Sequence, residues 1–272
     1  MISSALHRID TVVVVLLMGS VSACPVIADE AGNPGASLSP GEEEINLFED
    51  TVEKIDSLAL ETASETTGEE NVKADRDAFF VILDEGVDHA RDGDTEEALE
   101  SFSLAIAGGY ESAAPYYNIA VMAEYDEEGA RYKGENQNYG LVFYDRTLAV
   151  DNSYYPARYN YGVLYHELEM FDEAEAVYRD ILDVSGETEK NARYNLALIL
   201  RDKKQLNEAI SMLEEADDPY SEPESLILLA LLNEESGAAS RAIRLYKKAL
   251  EMDLSFEMNA LAIKKISTLR SY

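Results

Sequence analysis

Spacing, more than composition, limits what this chain can fold into. A small residue, a second one 12 positions later, an aromatic 4 beyond that and a further member after 3 more occur as Gly86, Ala98, Phe102 and Ala105. The pattern returns without gaps as Gly162, Ala174, Tyr178 and Ile181, as Ala197, Ala209, Leu213 and Ala216, and as Ala230, Ala242, Tyr246 and Ala249. A fifth copy, Ala120, Gly140, Tyr144 and Thr147, needs 8 extra residues between its halves, within 126–138. Successive copies start 42, 34, 35 and 33 residues apart, counted from Ala98. A period near 34 is the length of a helix, a turn and a second helix. The two small residues let the helices approach closely, and the aromatic is expected in the wedge towards the next unit. An all-α array follows.

The strings that carry the period are AFFVILDEG (78–86) with TEEALESFSLAI (95–106), YYNIA (116–120), RYNYGVLYHELEMFDEAEAVYRDIL (158–182), RYNLALIL (193–200) with QLNEAISMLEEA (205–216), and ASRAIRLYKKAL (239–250). Together they resemble the tetratricopeptide repeat family. The resemblance implies a right-handed superhelical solenoid of about five helical hairpins within residues 71–272. The units run over about 79–112, 113–154, 155–189, 190–222 and 223–254, with a capping helix over 255–270. The family's usual proline after each second helix is missing or displaced here.

In that family the first helices line a concave groove for extended peptides or partner helices. The matching positions here are Leu83, Asp84, Val87 and Arg91; Tyr117, Asn118, Val121 and Tyr125; Tyr159, Asn160, Val163 and His166; Tyr194, Asn195, Leu198 and Arg201; and Ile227, Leu228, Leu231 and Glu234. Three consecutive units place a Tyr-Asn pair at one register position, with Asn118, Asn160 and Asn195. A side-chain amide offers a donor and an acceptor, so a row of them can pair with the peptide units of a ligand without reading its sequence. The competing reading is that these amides satisfy neighbouring groups of the protein itself. Twelve of the 17 tyrosines fall between Tyr110 and Tyr165, as inter-helix packing or as a recognition surface of large contact area. The insertion at 126–138 is either a recognition loop or neutral length variation.

Ahead of the repeats the chain changes character twice. Thr11 to Ala23 is an apolar stretch of 13 residues ending in small side chains, and Arg8 precedes it. As a helix it would rise about 20 Å, short of the roughly 30 Å hydrocarbon core, so residues 1–23 read as an export signal. Val21, Ser22, Ala23 and Cys24 stand in the order of a lipobox, which makes Cys24, the one cysteine of the chain, a lipidation site. An ordinary signal peptidase cut after Ala23 or Ala28 is the alternative. From Asp29 to Glu70 there are 13 acidic residues and one basic, so residues 24–70 read as an acidic flexible tether with an r.m.s. span of roughly 40 Å. Within it Ile45, Phe48, Val52, Ile55 and Ala59 recur at helical spacing. They form a short helix over 43–60 that is either transient or docked, with the transient form slightly favoured.

Charge and missing motifs narrow the function. Fifty-four acidic against 22 basic residues leave −32, which repels phosphate backbones and disfavours nucleic acid and polybasic membrane docking. The repeats hold no Cys, and outside the leader the histidines are His89 and His166, in different units. No nucleophile elbow, zinc-ligand pair or phosphate loop accompanies them, so no catalytic residue, metal or cofactor is expected. Asp92, Gly93 and Asp94 read as a turn, since the closing Glu of a calcium loop is missing. The expectation is a non-enzymatic interaction scaffold of the bacterial cell envelope, lipid-anchored at the outer membrane facing the periplasm, or else secreted or periplasmic. It would hold a neutral or basic protein or peptide partner. An alternative is a solute-binding accessory protein of an envelope transporter.

Overall fold

A computed structural model describes residues 42–65, 76–124, 136–184, 189–216, 218 and 220–270. Among these residues every regular element is a helix: α1 (Glu42–Glu65), α2 (Arg76–Asp92), α3 (Thr95–Ala107), α4 (Ala114–Glu124), α5 (Asn136–Val150), α6 (Tyr155–Glu167), α7 (Phe171–Asp183), α8 (Glu189–Asp202), α9 (Leu206–Glu214), α10 (Pro223–Glu235), α11 (Ala239–Ala249) and α12 (Phe256–Leu269). Five pairs, α2/α3 through α10/α11, are helical hairpins, and α12 follows the last. The all-α expectation holds. Two compact units divide the chain within α6, between Arg158 and Tyr159.

Four of the hairpins turn in one way. Gly93, Glu169, Lys204 and Gly237 each have positive φ just after a first helix. The next residue's N–H then donates back over one turn: Asp94 to His89 O at 2.9 Å, Met170 to Tyr165 O at 2.9 Å, Gln205 to Leu200 O at 2.8 Å and Ala238 to Asn233 O at 2.8 Å. This left-handed cap satisfies carbonyls that the helix end leaves open. Asp92 to Asp94 is thus the turn its letters suggest.

The small residues do what their spacing implies, but the aromatic is placed differently. A Cβ built on Gly86 would stand 2.7 Å from a ring carbon of Phe102, and one on Gly162 2.9 Å from Tyr178. The ring therefore lies over the glycine of its own hairpin instead of only filling the wedge towards the next one. Phe102, Tyr144, Tyr178 and Tyr246, the four aromatics of the pattern, are all fully buried. Each contributes roughly 1.5–3 kcal/mol by leaving water.

In the first unit, α1 packs on α3 and α5, the second helices of two consecutive hairpins. Phe48, Thr51 and Ile55 form its buried stripe. Phe48 stacks on Tyr139 with ring centroids 6.1 Å apart, and Arg146 reaches Asp56 at 2.9 Å. Of the two readings of this segment the structure has the docked helix, so residues 42–65 are not part of an extended leash. The physical reason is the i, i+3, i+7 stripe, whose apolar area is covered only when it meets another helix. Cys24 and the leader lie outside the described residues. No helix among the described residues is long and apolar enough to cross a membrane.

Candidate peptide-binding surface

In the second unit the first helices α6, α8, α10 and the final α12 lie side by side, joined by polar contacts at their C-terminal turns. His166 Nε2 meets Asp202 Oδ2 at 2.8 Å, Arg201 donates to Glu235 Oε1 at 2.7 Å from Nε, and Lys265 Nζ donates to Glu234 Oε1 at 3.1 Å. Tyr246 Oη donates to the other oxygen of Glu234 at 2.9 Å. Burial, and then the Glu234 carboxylate beside it, raise the Tyr246 phenol well above its ordinary range, so it stays a donor. The second helices carry their own stitching. Glu175 accepts from Lys203 at 2.6 Å and from Arg179 at 2.7 Å, and Arg179 also reaches Glu208 at 2.5 Å. Burial pulls the Glu175 carboxyl upwards, but the hydrogen bonds and charges of Lys203 and Arg179 outweigh it and hold the group below the usual carboxylate range.

Asn195 is committed inside the protein. Its Nδ2 donates to Tyr159 Oη at 2.9 Å and to Tyr178 Oη at 3.0 Å, while Tyr178 Oη donates to the Tyr159 carbonyl at 3.3 Å. Burial raises the Tyr159 phenol, and the Asn195 bond partly offsets this. The amide thus ties α8 to the hairpin before it. Asn160 is half-buried on α6.

The other expected groove positions divide by burial. Tyr117 is buried in the first unit, with its ring 5.3 Å from Tyr154 and 6.2 Å from Tyr144. Asn118 is 1% exposed and its Nδ2 has no hydrogen-bond partner. Both are core residues here, which corrects their expected place on the groove: their side of α4 faces the hairpin interior. Leu83, Val87, Ile227 and Leu228 are buried for the same reason, whereas Asp84 and Arg91 are exposed. Tyr125 lies outside the described residues. Val121 stays half-buried on α4, and in the second unit Val163, His166, Tyr194, Leu198, Arg201 and Leu231 are half-buried too. Sequence reading missed Asp202 and Glu235, the partners of His166 and Arg201. Their spacing of 36 and 34 residues from those partners, close to the repeat period, was the available signal.

A tetratricopeptide repeat model matches residues 155–188 and 191–218. Residues 155–188 and 191–218 are thus tetratricopeptide repeats. Among solved tetratricopeptide structures the chain is similar to MamA from Desulfovibrio magneticus RS-1, with 18% identity, 64% of this chain and 94% of that one covered, and a TM-score of 0.54. It is also similar to PilF of Pseudomonas aeruginosa, with 17% identity, 71% and 89% covered, and a TM-score of 0.51. These likenesses establish the fold. No curated protein matches the sequence.

Two other features bear on its chemistry. The described residues contain no group of three or more His, Cys, Asp or Glu that could hold a metal ion. An open hollow of about 250 Å³ beside Tyr110, Asp151 and Tyr154 is smaller than the roughly 300–1,000 Å³ of small-molecule pockets.

Proposed function

We propose that this protein is a non-enzymatic interaction scaffold whose first helices hold a peptide segment or partner subunit. The observation that carries this reading is the row of half-buried side chains on α6, α8 and α10, namely Val163, His166, Tyr194, Leu198, Arg201 and Leu231, on a frame tied together by His166–Asp202 and Arg201–Glu235. Amphipathic and aromatic groups on a rigid frame bind with little ordering cost. The overall charge of −32 favours a neutral or basic ligand at this surface. The sequence before the repeats supports an envelope location, with Cys24 lipidated and the repeats facing the periplasm.

A photo-crosslinking residue placed at Leu198 or Tyr194 in intact cells is expected to trap one envelope polypeptide saturably. The same residue at exposed Ser211 should trap none. Indiscriminate or absent trapping at Leu198 and Tyr194 refutes the surface. Mass spectrometry of the mature terminus checks the anchor: a diacylglyceryl Cys24 is expected, and an unmodified terminus overturns that part alone.

A further inference from the structure

The last helix of the second unit is open on one side. On α12, Phe256 is 83% exposed and Ile263 56%. Ala260 and Ser267 are exposed between and beyond them, and helical spacing puts all four on one face, with Lys264 and Arg270 along its edges. The opposite side, Met258, Ala262 and Ile266, is buried. A repeat array normally ends in a polar outer face, because an apolar one is an invitation to stack.

Charge collects at the same place. Residues 239–272 hold seven basic and three acidic residues, a net of +4 in a chain of −32. Among the described residues Arg241 and Lys265 are ion-paired, but Arg244, Lys247, Lys264 and Arg270 are not. Lys248 lies over the Tyr220 ring at 3.9 Å. In a protein with 54 carboxylates, unpaired cations gathered at one end have been kept from their internal partners by position.

The complement is present in the first unit. On α2, the first repeat helix, Val81 is 58% exposed, and Asp77, Asp84, Glu85 and Asp88 share its exposed face. We infer that the α12 face takes the α2 face of a second copy of this chain. Phe256 and Ile263 would meet Val81, and Lys264 and Arg270 would meet Asp84 and Glu85. The contact is heterologous, so two copies joined by one such contact still offer one α12 face and one α2 face, and further copies can add. The total charge of −32 opposes approach at long range. At 0.15 M salt that repulsion is screened beyond about 8 Å, and the local opposite charges decide docking.

Sedimentation velocity of the intact chain at physiological salt tests this. Mass is expected to rise past the dimer with concentration. Phe256→Ser with Ile263→Ser should weaken association at least about tenfold while leaving thermal unfolding in place, because both side chains are exposed. Lys264→Glu with Arg270→Glu should abolish it, as should Asp84→Lys with Glu85→Lys. Combining all four charge reversals in one chain should restore it, which misfolding could not do. A monomer across the micromolar range overturns the inference, including one that instead floats with phosphatidylglycerol vesicles through α12. Association indifferent to the α12 variants, or a closed dimer that does not grow, overturns it too.

Discussion

Asn118 in the first unit and Asn195 in the second occupy the same repeat position, two residues before the small residue of their helix, and have opposite lives. Asn195 bonds two tyrosine hydroxyls. Asn118 is buried with its Nδ2 unpartnered. The cause is read one repeat back: where Asn195 has Tyr159 and Tyr178, the register places Leu83 and Phe102 before Asn118. Two missing hydroxyl groups turn a staple into a buried liability, since an unmade bond to a buried amide costs about 1–3 kcal/mol. A repeated letter therefore carries a role only when its partners repeat with it.

This contrast can be broken by experiment. The largest effect is expected from Tyr178→Ala, at about 3–5 kcal/mol in denaturant unfolding of the second unit, because it empties the space over Gly162 and takes one of the two hydroxyl partners of Asn195. Phe102→Ala should fall at the lower end of that range in the first unit, where no polar group loses its partner. Next come the amides: Asn195→Leu is expected to cost about 1–3 kcal/mol, and Asn118→Leu to cost nothing or to stabilise. Equal losses at both would refute the assigned asymmetry. Phe102→Tyr should stabilise by about 1 kcal/mol, since its ring lies over Gly86 as Tyr178 lies over Gly162, which brings a hydroxyl to Asn118. Glu175 adds a pH dependence to the second unit. Its folded carboxyl is held below the ordinary value, so its contribution is complete above about pH 4.3 and is lost as pH falls through the lower folded value. Acid titration of Glu175→Gln should lack that part of the slope. The smallest effect is at the turns: Lys204→Gly, at φ 64°, should gain some tenths of a kcal/mol up to about 1 kcal/mol.

The period and the hairpins were legible because they depend on local packing. A missing Cβ at Gly86 and an aromatic 16 residues later meet within one hairpin, and both stand in the chain at fixed separation. The role of the Tyr-Asn pairs was not legible from the pairs alone. Tyr178 and Tyr159 lie 17 and 36 residues from Asn195, and only lining up the preceding repeat shows that both hydroxyls are present. The row of groove residues failed at Tyr117 and Asn118 because a family register says which helix a residue is on, while burial depends on what the neighbouring helices present. The stripe on α1 was visible as Phe48 and Ile55, yet two side chains cannot name the surface that covers them.

That surface has a mechanical consequence. Because α1 precedes the hairpins and grips α3 and α5 together, a pull from its N-terminal side loads its Phe48 and Ile55 contacts before the packing within any hairpin. Rupture of α1 would give up the Phe48 and Ile55 contacts and spare the packing within the hairpins beneath, so under load α1 would act as a sacrificial latch ahead of the repeats.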